Sequence, residues 1–161
     1  MKKTTISIKN ESDKSVVYVE GSIDEYFGEY CKEIKEIKQS NIVFNFEHLT
    51  FINSVGIRHW VEFLGEFEKK REIIFEECSP VVVNQINMLP EFQSNSKIVS
   101  IFGEFLCEDC GFTKNEKFLT EAGYDTLVSQ MANRACQSCD GGEMQLCDFP
   151  ESFLSFMADK P

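Results

Sequence analysis

The run Asn41-Ile42-Val43-Phe44-Asn45-Phe46 hands over, across Leu49-Thr50-Phe51-Ile52-Asn53-Ser54-Val55-Gly56, to apolar residues spaced as on one face of a helix. No other stretch constrains the fold as much. The first run is short, rich in β-branched and aromatic residues and bounded by polar ones, which predicts a buried strand. Beyond the loop, Ile57, Trp60, Val61, Leu64 and Phe67 recur at helical spacing, with Arg58, Glu62, Glu66 and Glu68 between them. That pattern predicts an amphipathic helix. Asn53 and Ser54 then fall where the loop meets the helix.

Read from the residues alone, Ser54 is a helix cap, its hydroxyl placed to accept a bond from one of the first unpaired backbone N–H groups. The same helix end carries partial positive charge and is a ready anion site. A phosphate on Ser54 would be tolerated there, with Arg58 one helical turn away to pair with it.

The rest of the first hundred residues alternates strand and helix. Thr4-Thr5-Ile6-Ser7-Ile8 and Ser15-Val16-Val17-Tyr18-Val19-Glu20 predict a hairpin across a polar turn, ended by Gly21. Ser22 and Glu25 have the spacing of a capping box, and Tyr26, Phe27, Tyr30, Cys31, Ile34 and Ile37 share one face, predicting a helix over 24–38. Lys69-Lys70-Arg71 suits the C-terminal end of the second helix. Ile73-Ile74-Phe75 is the next strand. Ser79-Pro80 predicts a helix start, with Val82, Ile86 and Leu89 on one face, although three consecutive valines favour a strand. Lys97-Ile98-Val99-Ser100-Ile101-Phe102 is a last strand. This order predicts an α/β fold, a mixed sheet with helices packed against it, its crossovers long enough for parallel neighbours. Cys31 and Cys78 read as buried small hydrophobes.

Strand, then Phe51-Ile52-Asn53-Ser54-Val55-Gly56-Ile57, then amphipathic helix resembles the STAS domain, the domain of sulphate transporters and anti-sigma-factor antagonists. The resemblance covers about residues 1–102. Family members carry an Asp-Ser-x-Gly-type element here, whose Ser is the phosphorylation site in the antagonist branch. Ser54 takes that Ser, Gly56 takes that Gly, and Asn53 stands in place of the Asp. The resemblance implies a STAS-like mixed β-sheet with packed α-helices. It also implies a non-catalytic role, in which the surface around Ser54, including Asn53, Gly56 and Arg58, binds a protein partner. In the antagonist branch that partner is a kinase-type anti-sigma factor, and phosphorylation of the matching Ser blocks binding.

A second signal lies downstream. Cys107-Glu108-Asp109-Cys110 is followed by Gly111, and Cys136-Gln137-Ser138-Cys139 by Asp140-Gly141-Gly142. Each pair fits a knuckle of two thiolates facing one ion, with Gly permitting the tight backbone beyond it. Two knuckles complete a tetrahedral four-sulphur site suited to one structural Zn²⁺ per chain, with iron as the chemical rival. Cys147 is a fifth thiol nearby, read as spare, the alternative being that it replaces one of the four. The other reading of the two pairs is a redox dithiol, in a thiol redox sensor or enzyme. Thr113-Lys114-Asn115-Glu116 predicts a turn, with Phe105, Phe112, Phe118 and Leu119 available to pack around the ion. The segment resembles a zinc ribbon, a widespread module that identifies a metal rather than an activity. Asp148-Phe149-Pro150-Glu151 starts a short helix with Phe153, Phe156 and Met157 on one face. The division expected is residues 1–102, STAS-like, and 103–161, a zinc-ribbon-like module with a C-terminal helix. So small a ribbon needs its ion to fold, and metal removal is expected to unfold the chain beyond about residue 104.

Composition narrows the functions. The 161 residues are 42% hydrophobic and 12% aromatic, enough for a globular core. The net charge of −11 repels phosphate backbones and anionic membrane surfaces, so neither nucleic acid nor membrane is the expected partner. No stretch has the length of a transmembrane helix, and no apolar core follows Lys2 and Lys3 as in a secretory signal, so the expected location is the cytoplasm. There is no Gly-rich phosphate loop, His-Glu metal helix motif or nucleophile elbow. His48 and His59 are the only histidines. No catalytic residue is expected.

Overall fold

The computed structural model describes residues 3–158. Strand β1 (Thr5–Asn10) forms an antiparallel hairpin with β2 (Lys14–Ile23). Gly21 does not end β2. Its positive φ of 77° permits a bulge, and the strand continues to Ile23. Helix α1 (Phe27–Lys35) follows, and then β3 (Asn41–Asn45), β4 (Leu49–Ile52), α2 (Ser54–Phe67), β5 (Glu72–Glu76), α3 (Pro80–Met88) and β6 (Lys97–Ile98). The strand order is β1-β2-β3-β5-β6, with β4 beside the far end of β2. All pairings after the first hairpin are parallel, as strands joined through helices require. This is the mixed α/β fold expected from the sequence.

Phe44 at the centre of β3 organises the core. Its ring packs edge-on against Trp60 at 5.1 Å and Phe75 at 6.1 Å. Trp60 is wholly buried, and its indole N–H donates to the Phe92 carbonyl at 2.8 Å, so burying the polar atom costs little. Of the apolar face read for α2, Trp60, Leu64 and Phe67 are buried, while Ile57 and Val61 are only half-buried and Gly56 and Phe63 complete the buried side.

The chain then builds a second, wholly antiparallel sheet in the order β8-β7-β10-β9. Its strands are β7 (Ser100–Cys107), β8 (Thr113–Leu119), β9 (Arg134–Ala135) and β10 (Glu143–Leu146), with α4 (Tyr124–Gln130) between β8 and β9 and α5 (Pro150–Phe153) after β10. The run expected as one strand over 97–102 is thus divided between β6 and β7. Thr113-Lys114-Asn115-Glu116 is not a turn but the start of β8, paired with Leu106 through Gly103. It is polar because β8 is an edge strand with mostly exposed side chains. One continuous core joins the layers, running from Val17 through Val83 to Phe105, Met144 and Phe153.

Candidate functional site: a helix-end loop and a four-cysteine centre

Ser54 is the first residue of α2, and it is exposed. It is not the cap. Asn53 is, with extended backbone at φ −111° and ψ 169°, and its side-chain oxygen accepts the Gly56 N–H at 2.8 Å. The Asn53 amide in turn donates to the Glu25 carboxylate at 2.9 Å, and the Asn53 N–H donates to the Ile23 carbonyl at 3.1 Å. The N-terminal ends of α1 and α2 are therefore stitched together at one residue. Gly56 is what lets them approach. A Cβ there would lie 2.1 Å from the Ile23 carbonyl oxygen and 2.6 Å from the Asp24 nitrogen. Arg58, one turn on, is exposed. Around the loop, Tyr26, Phe51 and Val55 are exposed apolar side chains.

Beneath this corner lies a buried polar group. The Ser22 and Glu25 spacing does not form a capping box. Ser22 belongs to β2 and donates its hydroxyl to the Asp24 carboxylate at 2.6 Å. Asp24 also accepts the Tyr26 N–H at 3.0 Å and the Thr4 hydroxyl at 3.3 Å. This local turn delays α1 until Phe27. Burial alone would raise the Asp24 pKa, but the bonds from Ser22, Tyr26 and Thr4 outweigh it and hold the carboxyl below its ordinary value.

The second site is at the C-terminal end of β7. Both C-x-x-C segments are hairpin tips. The first joins β7 to β8, where the Gly111 N–H donates to the Cys107 carbonyl at 2.8 Å and Gly111 has φ 74°. The second joins β9 to β10, where the Cys136 N–H donates to the Gly142 carbonyl at 2.8 Å and Gly141 has φ 77°. Because β10 pairs with β7, with Met144 opposite Cys107, the two tips meet. The sulphurs of Cys107, Cys110, Cys136 and Cys139 all lie within 4.8 Å of one another. The cross-tip separations are 3.8 Å for Cys107–Cys139 and 3.7 Å for Cys110–Cys136. These match the edge of about 3.8 Å that a sulphur tetrahedron has at a Zn–S distance of about 2.3 Å.

The surroundings fit a cation of that size. Gly142 closes one side, where a Cβ would come within 2.5 Å of Cys139 Sγ and 2.8 Å of Cys107 Sγ. The Ser138 N–H, 3.3 Å from Cys136 Sγ, is the main influence drawing that thiol down to about 7, against the effect of burial. Contact with Cys110, burial and contact with Cys107 push Cys139 up to about 12. Four neighbouring thiolates repel one another unless a cation sits among them. Cys147 is exposed and outside the cluster. Cys31 and Cys78 are buried, and desolvation pushes the first up to about 11 and the second higher still, so both are inert. His48 is exposed beside Glu47. His59 packs over Gly28. Neither belongs to the cysteine cluster.

No protein-family model and no curated protein matches the sequence. Among solved structures, the chain is similar to an anti-sigma factor antagonist from Mycobacterium paratuberculosis. The TM-score is 0.50 at 17% identity, covering 60% of this chain and 85% of that one. It is also similar to the anti-sigma factor antagonist SpoIIAA in its unphosphorylated form, with a TM-score of 0.45 at 21% identity, covering 55% of this chain and 83% of that one. The first likeness is one of fold: the sheet-and-helix arrangement is that of an anti-sigma factor antagonist. No helix among the described residues is long and apolar enough to cross a membrane.

Proposed function

We propose that this chain is a non-catalytic regulatory module of the anti-sigma-factor-antagonist kind, acting in the cytoplasm, and that it binds a protein partner through the surface around Ser54. Residues 1–102 carry that surface, and residues 103–161 form a zinc-ribbon-like module in which Cys107, Cys110, Cys136 and Cys139 hold one structural Zn²⁺. The observation that carries the reading is the setting of Ser54. Ser54 is exposed on the first turn of α2, and the exposed apolar residues Tyr26, Phe51 and Val55 lie on the segments that meet at Asn53. Exposed apolar side chains gathered at one corner are what a protein interface uses.

Phosphorylation of Ser54 is the switch in this reading. The phosphate adds about two negative charges at a helix N-terminus, where the fold tolerates them, with Arg58 available as a counter-ion. A partner that packs on Tyr26, Phe51 and Val55 must desolvate that charge, so modification costs binding rather than folding. Zinc supplies cross-linking of the two hairpin tips and no chemistry.

The test uses wild-type, Ser54→Ala and Ser54→Asp chains as bait in their native cell. One partner retained by wild type and Ser54→Ala and lost by Ser54→Asp is the expected result, with phosphate found on Ser54 by mass spectrometry in the wild type alone. Equal recovery of partners by all three chains defeats the switch. Elemental analysis near one zinc per chain is expected. Absence of metal, with the cysteines cycling between thiol and disulfide, defeats the structural zinc.

A further inference from the structure

Helix α3 packs against β4 and β7, the strands that lead to the two sites. At its start, the Ser79 hydroxyl does not cap the helix but donates to the Leu49 carbonyl at 2.6 Å, in a buried position. Leu49 opens β4, and β4 ends at Ile52, immediately before the Asn53 cap. At the other end of α3, the Asn87 amide donates to the Phe153 carbonyl at 2.9 Å and its oxygen accepts the Phe156 N–H at 2.9 Å. The segment after β10 is therefore fastened to α3. Between these ends, Val82, Val83 and Ile86 are buried in the core that also contains Phe105, Phe153 and Leu154. Phe105 belongs to β7. That strand is tied to the residue just before α3's cap by bonds from the Cys78 N–H to the Ser100 carbonyl (3.1 Å) and from the Phe102 N–H to the Cys78 carbonyl (2.8 Å). Its last residue is Cys107, the one buried thiol of the centre.

We infer that the cysteine centre controls the Ser54 surface by holding α3. The inference rests on the reading that the four cysteines bind a metal ion. With the ion in place, the hairpin tips are pinned, β10 stays on β7 and the C-terminal turn stays on Asn87. Without it, the hairpin layer lacks the core to stand alone. Its departure strips Phe105, Phe153 and Leu154 from the α3 side of the core. A nine-residue helix does not persist without tertiary packing, so α3 loosens with it. The Ser79–Leu49 bond is then lost, and the four-residue strand β4 no longer sets Asn53. Metal loss thus reaches back past residue 104 and into the partner surface. The two-state element is α3, docked or undocked, and any condition that strips the thiols biases it.

Hydrogen exchange read by mass spectrometry on the full chain tests this, comparing zinc-loaded and chelator-treated samples with metal content measured in both. Exchange at 80–88 and 49–52 is expected to rise about tenfold or more on metal removal, together with 134–146, while β3 at 41–45 stays protected. An Asn87→Ala chain loses both fastenings yet keeps every thiol. It is expected to retain its zinc and to show faster exchange at 80–88 while loaded. Unchanged exchange at 80–88 alongside fast exchange at 134–146 overturns the coupling and leaves the metal site standing. A chain that takes up no zinc overturns both.

Discussion

Replacing Gly56 by Ala adds one methyl group where two backbone segments nearly touch. The new Cβ would sit 2.1 Å from the Ile23 carbonyl oxygen and 2.4 Å from its carbon, against an ordinary carbon–oxygen approach of about 3.3 Å. Neither neighbour is a side chain that can swing aside, so the first turn of α2 must retreat by about 1 Å. Overpacking of this kind costs about 1–3 kcal/mol. The retreat also draws the Gly56 N–H off Asn53, a cap worth about 1 kcal/mol. Ala returns up to about 1 kcal/mol of helix propensity. The net loss is about 1–3 kcal/mol, or a fall in Tm of roughly 2–12 °C for a chain of this size. Gly65 is the control. It lies in the same helix, has nothing within 4 Å of its missing Cβ, and its replacement by Ala should stabilise by about 0.5–1 kcal/mol. Urea titration followed by Trp60, the single tryptophan and wholly buried, measures both. Gly56→Ala within about 0.5 kcal/mol of wild type, or shifted in the same direction as Gly65→Ala, refutes the close-approach argument.

Asn53→Asp places a carboxylate against Glu25, and a double-mutant cycle with Glu25→Gln should return a coupling of about 1 kcal/mol in urea titrations. The Asp24 pKa is lowered in the folded chain, so its contribution is complete above the unfolded carboxyl value and is lost as pH falls through the lower folded one. Asp24→Asn should flatten that acid limb of the stability profile, and an unchanged limb would remove Asp24 from the account. Gly142→Ala drives a methyl group into Cys139 and Cys107 and should weaken zinc binding about tenfold or more in competition with a chromophoric chelator.

Much of the main sheet was legible because its elements are long or strongly periodic. The first hairpin and α2 follow from patterns of two or 3.6 residues, β3 from a short apolar run bounded by polar residues, and α3 from Ser79-Pro80 against the strand that its three valines favour. The sequence places the cap one position late because Asn and Ser are both good capping residues. Only the extended backbone of Asn53 separates them, and that depends on its bonds to Ile23 and Glu25, which are far away in sequence. Strand β4 was hidden for a related reason. It is four residues long with exposed members at its centre, so it shows neither alternation nor a buried run. The start of β8, Thr113-Lys114-Asn115-Glu116, reads as a turn because an edge strand carries polar residues. Helix α4 is seven residues with a single fully buried side chain, too short for helical spacing to show. The cysteine spacing marked the four thiols at once, since it is local. What the spacing does not carry is the pairing of β10 with β7, and that pairing brings the two tips together.

The substitution of Asn53 for the acid of the resembled motif has a physical reason within this chain. As a cap, Asp would serve as well as Asn, since either oxygen can accept the Gly56 N–H. The difference lies in the second bond. Asn53 donates to Glu25, and an ionised Asp has no proton to give. With Glu25 in the turn before α1, an acid at position 53 would set two carboxylates at hydrogen-bond distance, raising the pKa of one of them and loosening the seam between the helices. Residue 53 is therefore dictated by its neighbour across the corner rather than by the helix it caps. Glu25 and Arg58 already carry charge at this corner, with the Asp24 carboxylate beneath them. A charge added at Ser54 would then act on whatever packs against Tyr26, Phe51 and Val55, while the helix end beneath it keeps its shape.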